Sequence, residues 1–206
     1  MVDVRFEKRY LRMGFTSVAG VDEVGRGALF GPVLAVAMSF PPEILLSPPP
    51  WTKEINDSKL LSPTKRLKVA HCIIRACSSL GIGVASNVEI DEKNIYRASL
   101  TAMERAVGNM SPSPGALLVD GFPLKELKYP QMGIVQGDRK SLSIAAASIV
   151  AKVMRDGLMT YYDTVYRGYG LSRNKGYGTG EHFRALREKG PTHLHRLSFN
   201  LGLEDT

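Results

Sequence analysis

Apolar residues along this chain fall first into two short runs near the N-terminus. Val18 to Val21 and Gly31 to Phe40 are apolar and partly β-branched, and a glycine-rich turn separates them. Runs of this kind are typical of buried strands, and a short connection favours antiparallel pairing. The pattern therefore predicts an N-terminal β-hairpin. From Pro41 to residue 59, proline and polar residues predict loop throughout.

Helical spacing and further short apolar runs continue through the rest of the chain. The predicted elements are, in chain order, a helix from Ser62 to Gly81, a strand over 82–86, a helix over 89–107, strands over 116–119 and 133–136, a long helix over 141–162 and a short helix over 180–189. The apolar face of the first helix is expected to comprise Leu67, Ala70, Ile74 and Cys77. Because strands and helices intermix after a hairpin, these elements predict an α/β fold whose mixed sheet of about five strands carries helices on its faces.

Composition and charge narrow the class of protein. The chain has 206 residues, of which 44% are hydrophobic and 23% charged, as in an ordinary globular domain. Its formal charge of +7 favours a polyanionic partner, because lysine and arginine that neutralise phosphates release counterions. No run approaches the roughly 18 apolar residues of a membrane span, and the N-terminus lacks a signal-peptide core, so we expect a cytoplasmic protein. Cys72 and Cys77 lack metal-ligand spacing and are interpreted as buried thiols in a reducing compartment.

Four carboxylates follow predicted strands. Asp22 and Glu23 end the first strand, and Asp120 and Asp138 each follow a later one. Aspartate commonly ends strands and begins turns, which is the alternative explanation for each residue taken alone. Taken together, carboxylates that converge at one end of a sheet would suit a hard cation such as Mg²⁺, which prefers oxygen ligands. The sequence therefore predicts a metal site formed by these four residues.

Strand geometry limits how the first pair can act. Successive strand residues face opposite sides, so Asp22 and Glu23 of a regular strand cannot both point at one ion. Either the strand breaks at Glu23, or Glu23 contributes its backbone carbonyl or binds a second ion. Asp156 lies 18 residues beyond Asp138 in the predicted long helix, which is about 27 Å at 1.5 Å per residue. We therefore assign Asp156 and Asp163 to salt bridges or solvent.

Several longer motifs give the sequence a specific resemblance. GVDEVGRG with a following GPV, then NDSK, VDG, GDRKSLSIAAASIVAKVMRD, KGYGT and HRLSF occur in this order between residues 20 and 199. In these motifs the chain resembles ribonuclease HII, the bacterial type 2 ribonuclease H, over nearly its whole length. The resemblance implies a ribonuclease H-like catalytic domain over residues 1–206, in which residues from about 165 to 206 form a C-terminal substrate-binding appendage. It also implies hydrolysis of the RNA strand of RNA–DNA hybrids, and cleavage on the 5′ side of a single ribonucleotide in duplex DNA.

The resemblance implies roles for individual residues as well. The four acids match the family's catalytic, metal-binding set. Gly25, Arg26 and Gly27 match the motif whose backbone reads the ribose 2′-hydroxyl, and glycine physically allows a close approach to this group, which both donates and accepts. Tyr177 matches the tyrosine that stacks on the adjoining deoxyribose and senses the RNA-to-DNA junction. A tyrosine taken alone is more often a packing residue, and that alternative stays open.

Other polar residues have two explanations each. Asn56, Ser58 and Lys59 match residues that contact substrate phosphates, whereas a capped turn is the alternative for Asn56. Ser141 stands at a predicted helix N-terminus, where it would either contact phosphate or simply cap the helix. His195 and Arg196, near the C-terminus, could reach a substrate phosphate. The other histidines are expected to be structural or solvated.

These assignments predict a metal-dependent endoribonuclease that acts on RNA–DNA hybrids and on ribonucleotide-containing duplex DNA. Two Mg²⁺ or Mn²⁺ ions about 4 Å apart would activate the attacking water and stabilise the leaving 3′-oxygen, so that products carry 5′-phosphate and 3′-hydroxyl ends. We expect a monomer with no obligate protein partner and no membrane association. Two alternatives stay open: another nuclease of the same fold that acts on DNA junctions, and a non-catalytic nucleic-acid-binding module.

Overall fold

A five-stranded sheet forms the centre of the molecule. The computed structural model describes residues 2–57 and 61–203. The strands are β1 (Val18–Val24), β2 (Val33–Ser39), β3 (Ser79–Ala85), β4 (Ala116–Asp120) and β5 (Gln131–Ile134), in the spatial order β3-β2-β1-β4-β5. β2 is antiparallel to both β1 and β3, whereas β4 and β5 run parallel to β1. The predicted α/β fold with a mixed sheet and an N-terminal hairpin is therefore confirmed.

Helices cover both faces of this sheet. Within the described ranges they are α1 (Arg5–Arg12), α2 (Pro42–Leu46), α3 (Pro63–Ala76), α4 (Asn87–Lys93), α5 (Ile95–Gly108), α6 (Leu142–Val165), α7 (Leu171–Asn174) and α8 (Gly180–Lys189), with 3₁₀ helices at Pro50–Asp57 and Gly137–Arg139. α5 packs on one face of the sheet and α6 on the other. Side chains of β2 alternate between the two layers: Leu34, Val36 and Met38 lie on the α6 side, and Val33, Ala35 and Ala37 on the α5 side.

Two close approaches of backbone hold these layers together. A Cβ added at Gly20 of β1 would lie 2.1 Å from the carbonyl carbon of Ser143, so α6 begins directly against β1. A Cβ added at Gly83 of β3 would lie 1.9 Å from the carbonyl oxygen of Ala102 in α5. Contacts this short would force one backbone away from the other. Glycine is therefore needed at both positions.

α6 confirms the long helix predicted over 141–162. The hydroxyl oxygen of Ser141 accepts a hydrogen bond from the Ile144 N–H at 3.3 Å, and the same hydroxyl donates to Glu7 at 2.6 Å. Ser141 has no exposed surface, so it caps the helix rather than contacting phosphate. Among the described residues, no helix is both long enough and apolar enough to cross a membrane.

The helix predicted from Ser62 to Gly81 is wrong at its C-terminal end. α3 ends at Ala76, and Gly81 lies inside β3, where an added Cβ would lie 2.1 Å from the carbonyl oxygen of Ala106. Gly81 is thus required by the close packing of α5 on β3. A glycine that looks like a helix stop in the sequence is a contact site in the fold.

The apolar face of α3 also differs from the predicted one. Leu67 and Ile74 are 45% and 46% exposed, whereas the buried positions of α3 are Val69, Ala70 and Ile73. The helical period allowed more than one apolar stripe, and packing against the layer that contains α6 selected this one. The prediction of buried thiols is also wrong: Cys72 is exposed and Cys77 is only half-buried, since both lie off the buried face of α3.

The helix predicted over 89–107 is interrupted at one residue. Asn94 separates α4 from α5 with a φ of +71°, and its side chain accepts a hydrogen bond from the Arg97 N–H at 3.1 Å. Asparagine tolerates positive φ better than other residues with a Cβ, because its short polar side chain bonds the local backbone. The predicted helix is therefore two helices with a capped junction.

The segment predicted as loop from Pro41 to residue 59 contains α2 and a 3₁₀ helix. Leu45 and Ile55 have no exposed surface, and the ring of Trp51 lies 6.1 Å from that of Phe40. These apolar side chains cover the core, which explains why the chain forms ordered turns here. Helices of one or two turns are too short to show a hydrophobic period. α1 and α7 are likewise absent from the predicted elements, and β5 begins two residues before its predicted span.

Gly20→Ala is expected to destabilise the protein by about 1–3 kcal/mol, because its Cβ would overlap the backbone of α6. Gly157→Ala is the matched control, since an added Cβ at this α6 position meets no atom within 4 Å. Alanine at Gly157 should stabilise the helix by about 0.5–1 kcal/mol. Chemical denaturation measures both free energies of unfolding. Unchanged stability of Gly20→Ala would contradict the close contact between β1 and α6.

Candidate metal centre and adjoining loops

Three carboxylates meet where β1 and β4 end. Asp22 and Glu23 lie near the end of β1 and Asp120 ends β4, and each offers an oxygen within 4.8 Å of the others. Parallel pairing aligns Val21 with Val119, which places Asp22 beside Asp120 on the same side of the sheet. In the described part of the chain, these three residues form the group whose donor atoms suit a metal ion.

Glu23 approaches this group from the other face of the sheet. β1 continues to Val24, which rules out the alternative that the strand breaks at Glu23. Glutamate has one methylene more than aspartate, and this length allows its carboxylate to turn around the strand end toward Asp22 and Asp120. Glu23 therefore offers a carboxylate oxygen, and its backbone carbonyl is not needed.

The three carboxylates repel one another in the absence of a cation. Asp22 is 5% exposed, and its pKa is raised well above the usual range, first by burial and then by repulsion from Glu23 and Asp120. A hydrogen bond from the Ser148 hydroxyl opposes this rise. Burial also raises the pKa of Glu23, although an ion pair with Arg26 at 3.1 Å works in the other direction. A bound cation would offset both the desolvation and the repulsion.

One buried oxygen strengthens the fit to a cation. The Oε2 atom of Glu23 is buried and has no hydrogen-bond partner among the described residues. Buried carboxylate oxygens are normally hydrogen-bonded or bound to metal, because leaving them unpaired is costly. The donor set consists of oxygen atoms, which are the ligands that Mg²⁺ and Mn²⁺ prefer.

Asp138 lies next to the three carboxylates without joining them. It belongs to the 3₁₀ helix Gly137–Arg139, and the N–H of Gly137 donates to Asp120 Oδ1 at 2.6 Å. This bond ties the turn to the end of β4. The carboxylate of Asp138 nevertheless lies outside the 4.8 Å group. The structure therefore brings three of the four predicted acids together. The fourth, Asp138, follows directly after Gly137, whose N–H bonds Asp120.

The turn formed by Gly25, Arg26 and Gly27 follows β1 directly and meets the loop that carries Tyr177. Gly25 has a φ of +92°, and Arg26 and Gly27 are exposed. Ala28 and Tyr177 form an antiparallel β-bridge. The half-buried ring of Tyr177 lies 4.0 Å from the position of a Cβ at Gly27. The two segments predicted to recognise a ribonucleotide are thus neighbours.

The other predicted positions are only partly covered by the structure. Asn56 lies in the 3₁₀ helix Pro50–Asp57, but its side chain lies outside the described residues, as do Ser58 and Lys59. Phosphate contacts by these three residues stay a prediction. Asp156 forms the expected salt bridge, at 2.6 Å from Lys152, and Asp163 accepts a hydrogen bond from the Ser172 hydroxyl.

His195 is buried and cannot contact phosphate, so that expectation is wrong. His182 and His195 are 0% and 1% exposed, and their Nε2 atoms lie 3.1 Å apart. His182 Nδ1 lies 3.0 Å from the Tyr177 carbonyl oxygen, which can only accept, so His182 donates there and its Nε2 accepts from His195. His195 Nδ1 in turn accepts from the Thr192 N–H at 2.8 Å. Burial, followed by repulsion from His182, lowers the pKa of His195 to about 4.

Two buried arginines lie beside these loops, Arg155 of α6 and Arg196. Sequence reasoning did not single out Arg155, and its expectation that Arg196 reaches a substrate phosphate is wrong because the side chain has no exposed surface. Buried positions of α6 recur four residues apart at Ala147, Ala151, Arg155 and Met159. This periodicity could have identified Arg155 as a charge on the inward face of its helix. Arg196 lies outside helices and strands, and no periodicity indicates that it is buried.

Comparison with known proteins shows the family to which the chain is similar. A family model described as Ribonuclease HII matches residues 19–201. Ribonuclease HII of Moorella thermoacetica is 48% identical over 194 residues, covering 94% of this chain and 91% of that protein. Ribonuclease HII of Lactobacillus acidophilus is also 48% identical over 94% of this chain, and the match covers 74% of that protein.

Solved structures share the fold at lower identity. Ribonuclease H2 from Pyrococcus horikoshii OT3 has a TM-score of 0.75 at 24% identity, covering 90% of this chain and 94% of that chain. The PCNA:RNase HII complex from Archaeoglobus fulgidus has a TM-score of 0.73 at 22% identity, and the match covers 91% of this chain and 98% of that chain. Bst-RNase HIII in complex with Mn²⁺ has a TM-score of 0.65 at 19% identity, and the match covers 90% of this chain and 67% of that chain. The predicted ribonuclease H-like fold is confirmed.

Asp22→Asn is expected to stabilise the metal-free protein at pH 7 by about 1–2 kcal/mol. It removes one of three repelling charges and keeps the oxygen that accepts from the Glu23 N–H at 2.8 Å. Because the folded-state pKa of Asp22 is raised, its destabilising effect develops as the pH rises from the ordinary value of 3.8 through the folded-state pKa. Thermal unfolding without metal measures the gain.

The control for this variant is Asp156→Asn, because Asp156 is paired with Lys152 and should gain nothing from losing its charge. Saturating Mg²⁺ should reduce the advantage of Asp22→Asn, since only the intact carboxylate set gains the full binding energy. A metal-free Asp22→Asn protein that unfolds at a lower temperature than the wild type would contradict the repulsion between these carboxylates.

Proposed function

The chain belongs to the ribonuclease HII family, and on that basis we propose that it cuts duplex DNA on the 5′ side of a single embedded ribonucleotide. As a member of this family it is a metal-dependent endoribonuclease with ribonuclease H activity on RNA–DNA hybrids. The alternative of a non-catalytic binding module is therefore wrong. Cleavage at single ribonucleotides is the finer proposal. The observation that carries it is the contact between the Gly25–Gly27 turn and Tyr177 beside the carboxylate cluster.

Recognition of the sugar is assigned to the turn. The 2′-hydroxyl is the group that distinguishes ribonucleotides from deoxyribonucleotides, and an exposed backbone with little side chain can bond it directly. Arg26 keeps its side chain beside Glu23, which leaves the backbone of the turn accessible. The Tyr177 ring would lie against the adjoining deoxyribose. The two segments together would require a ribose followed by a deoxyribose.

Chemistry at the phosphate is assigned to the acids. Asp22, Glu23 and Asp120 would hold the cations, and Asp138 would complete the set. Two Mg²⁺ or Mn²⁺ ions bound there would supply an activated water and stabilise the leaving 3′-oxygen. Hydrogen bonds from the Ser148 hydroxyl to Asp22 and from the Gly137 N–H to Asp120 would fix the orientation of both carboxylates before a cation binds.

The residues assigned to the proposed activity all belong to one polypeptide chain. The Archaeoglobus fulgidus protein is seen in a complex with PCNA. In this chain, however, the carboxylates and both recognition segments come from the same polypeptide. We therefore propose that cleavage itself needs no protein partner. The formal charge of +7 supports a nucleic-acid duplex as the substrate.

The assay that tests this function uses duplex DNA with one ribonucleotide. The protein should cut it on the 5′ side of the ribonucleotide in Mg²⁺ or Mn²⁺, leaving 5′-phosphate and 3′-hydroxyl ends, and a chelator should stop the reaction. Asp120→Asn should lower kcat about 1000-fold or more, because it weakens several kcal/mol of transition-state charge stabilisation. Binding of an RNA–DNA hybrid, measured by fluorescence anisotropy, should be largely retained.

Two controls accompany the assay. An all-DNA duplex of the same sequence should stay intact, and Asp163→Asn should cut as fast as the wild type because Asp163 bonds Ser172 and is not part of the carboxylate group. Equal cutting of both duplexes, or no metal-dependent cutting of either, would refute the proposed function. Wild-type turnover by Asp120→Asn would show that the site lies elsewhere.

Tyr177→Ala should lower kcat/KM about 10- to 100-fold on the single-ribonucleotide duplex, the range expected for loss of one aromatic stacking contact. On a continuous RNA–DNA hybrid the loss should be smaller, because no junction has to be sensed. Tyr177→Phe should retain most activity, since it keeps the ring. Tyr161→Ala, which removes a tyrosine that is 62% exposed on α6, is the matched control. Equal losses on both substrates would count against a junction-sensing role.

A further inference from the structure

Two arginines lie in the interior without a carboxylate partner in the described part of the chain. Arg155 and Arg196 both have no exposed surface, and neither forms a salt bridge with a described carboxylate. Burial, followed by repulsion from Arg155, lowers the pKa of Arg196 to about 9, and burial also lowers the pKa of Arg155. A guanidinium group stays protonated in proteins, so both side chains are charged at pH 7. The Nη2 atom of Arg196 is buried without a hydrogen-bond partner among the described residues. Burying a charge in this way is costly and has to be offset by specific bonds.

The acceptors of these bonds are main-chain carbonyls of the two recognition segments and of the chain that joins them to the sheet. Arg196 donates through Nη1 to the carbonyl of Arg26 at 2.8 Å and through Nε to that of Gly31 at 2.9 Å. Arg155 donates through Nη1 to the carbonyl of Lys175 at 2.8 Å. A guanidinium group holds its donors in a rigid plane, so each arginine fixes its acceptors in direction as well as distance.

Arg196 determines which way one peptide group of the turn points. The bond from Arg196 holds the Arg26 carbonyl toward the interior. In a planar trans peptide the following N–H, that of Gly27, points in the opposite direction. Gly27 is exposed, and its N–H makes no hydrogen bond to another described residue. The turn therefore presents a fixed, unused donor on its outer side.

Arg155 connects this turn to the tyrosine. A Cβ at Gly25 would lie 2.1 Å from Arg155 Nε, so the turn rests directly on the guanidinium group. The Cζ atom of Arg155 lies 5.5 Å from the centre of the Tyr177 ring, within the range of a cation–π contact. The same arginine also holds the carbonyl of Lys175, two residues before Tyr177. One side chain thus contacts both recognition segments.

We propose that Arg155 and Arg196 are positioning residues that set the enzyme's selectivity for a ribonucleotide: Arg196 aims the Gly27 N–H at the sugar 2′-oxygen, and Arg155 holds Tyr177 at a fixed distance from the turn. The inference rests on the proposed function, because it assumes that the turn and Tyr177 read the substrate. It adds a reason for two buried cations that core packing does not need, since apolar side chains would fill the same space at a lower desolvation cost.

Arg196 is tested by binding, in the inactive Asp120→Asn background. The dissociation constants of two duplexes are measured by fluorescence anisotropy, one containing a single ribonucleotide and one of DNA alone. Arg196→Lys keeps the charge but loses the planar fork, and should reduce the preference for the ribonucleotide duplex about 10- to 100-fold, as expected for one charge-assisted hydrogen bond. Affinity for the all-DNA duplex should be unchanged, a pattern that general loosening of the fold would not give.

Matched variants make this experiment decisive. Arg173→Lys alters an arginine whose side chain is 70% exposed and paired with Glu181, and it should keep the wild-type preference. If Arg196→Lys does not fold, Arg196→Met takes its place, because an apolar side chain of similar size avoids the cost of burying a charge. A folded Arg196 variant with the wild-type preference would overturn the inference. Equal binding of both duplexes before Arg196 is changed would instead refute the proposed function.

Arg155 is tested through a double-mutant cycle with Tyr177. Arg155→Lys should lower kcat/KM at a single ribonucleotide about 10-fold or more when Tyr177 is present, and should have little further effect in the Tyr177→Ala protein. Equal losses in both backgrounds would show that Arg155 supports the fold without acting through the tyrosine. No loss in either background would also overturn its positioning role.

Discussion

The backbone contact between β1 and α6 is the constraint on which the rest of the site depends. Gly20 leaves no side chain between the strand and the first turn of the helix. That contact brings Ser148 to Asp22 and, about two turns further along α6, Arg155 to the turn that follows β1. The carboxylates and the recognition turn are therefore held by the same strand and the same helix. Their separation depends on regular secondary structure and not on loop conformation.

The distribution of charge inside the molecule follows from the two tasks of the site. Arg155 and Arg196 donate to main-chain carbonyls, and neither forms a salt bridge with a described carboxylate of the metal cluster. A salt bridge between the two groups would stabilise the protein alone, but it would neutralise the oxygens that a cation needs. Bonding the arginines to main-chain acceptors keeps their charges apart from those of the carboxylates.

The sequence was sufficient for features that depend on local pattern. The hairpin, the long helix and the location of Asp22 and Asp120 at strand ends all follow from where apolar runs begin and stop. Glu23 was harder, because the rule that neighbours face opposite sides ignores how far a longer side chain can turn at a strand end. Gly81 was misassigned because glycine is required there by the close packing of α5, a helix that lies later in the chain. Arg196 was expected to contact phosphate, and its burial could not be predicted because its partners are main-chain carbonyls that any residue type would supply.

The hydrogen bonds of His182 and His195, which lie behind Tyr177, all run in one direction. The proton order runs from Thr192 through His195 and His182 to the carbonyl of Tyr177, and each ring donates once and accepts once. An extra proton on either ring would set two N–H groups against each other. The unfolded chain takes up that proton near the ordinary pKa of 6.5 and the folded His195 only near 4, so folding stability is lost as the pH falls through this interval. Above it, the tyrosine segment rests on a pair of histidines that do not titrate, and its geometry is insensitive to pH across the neutral range.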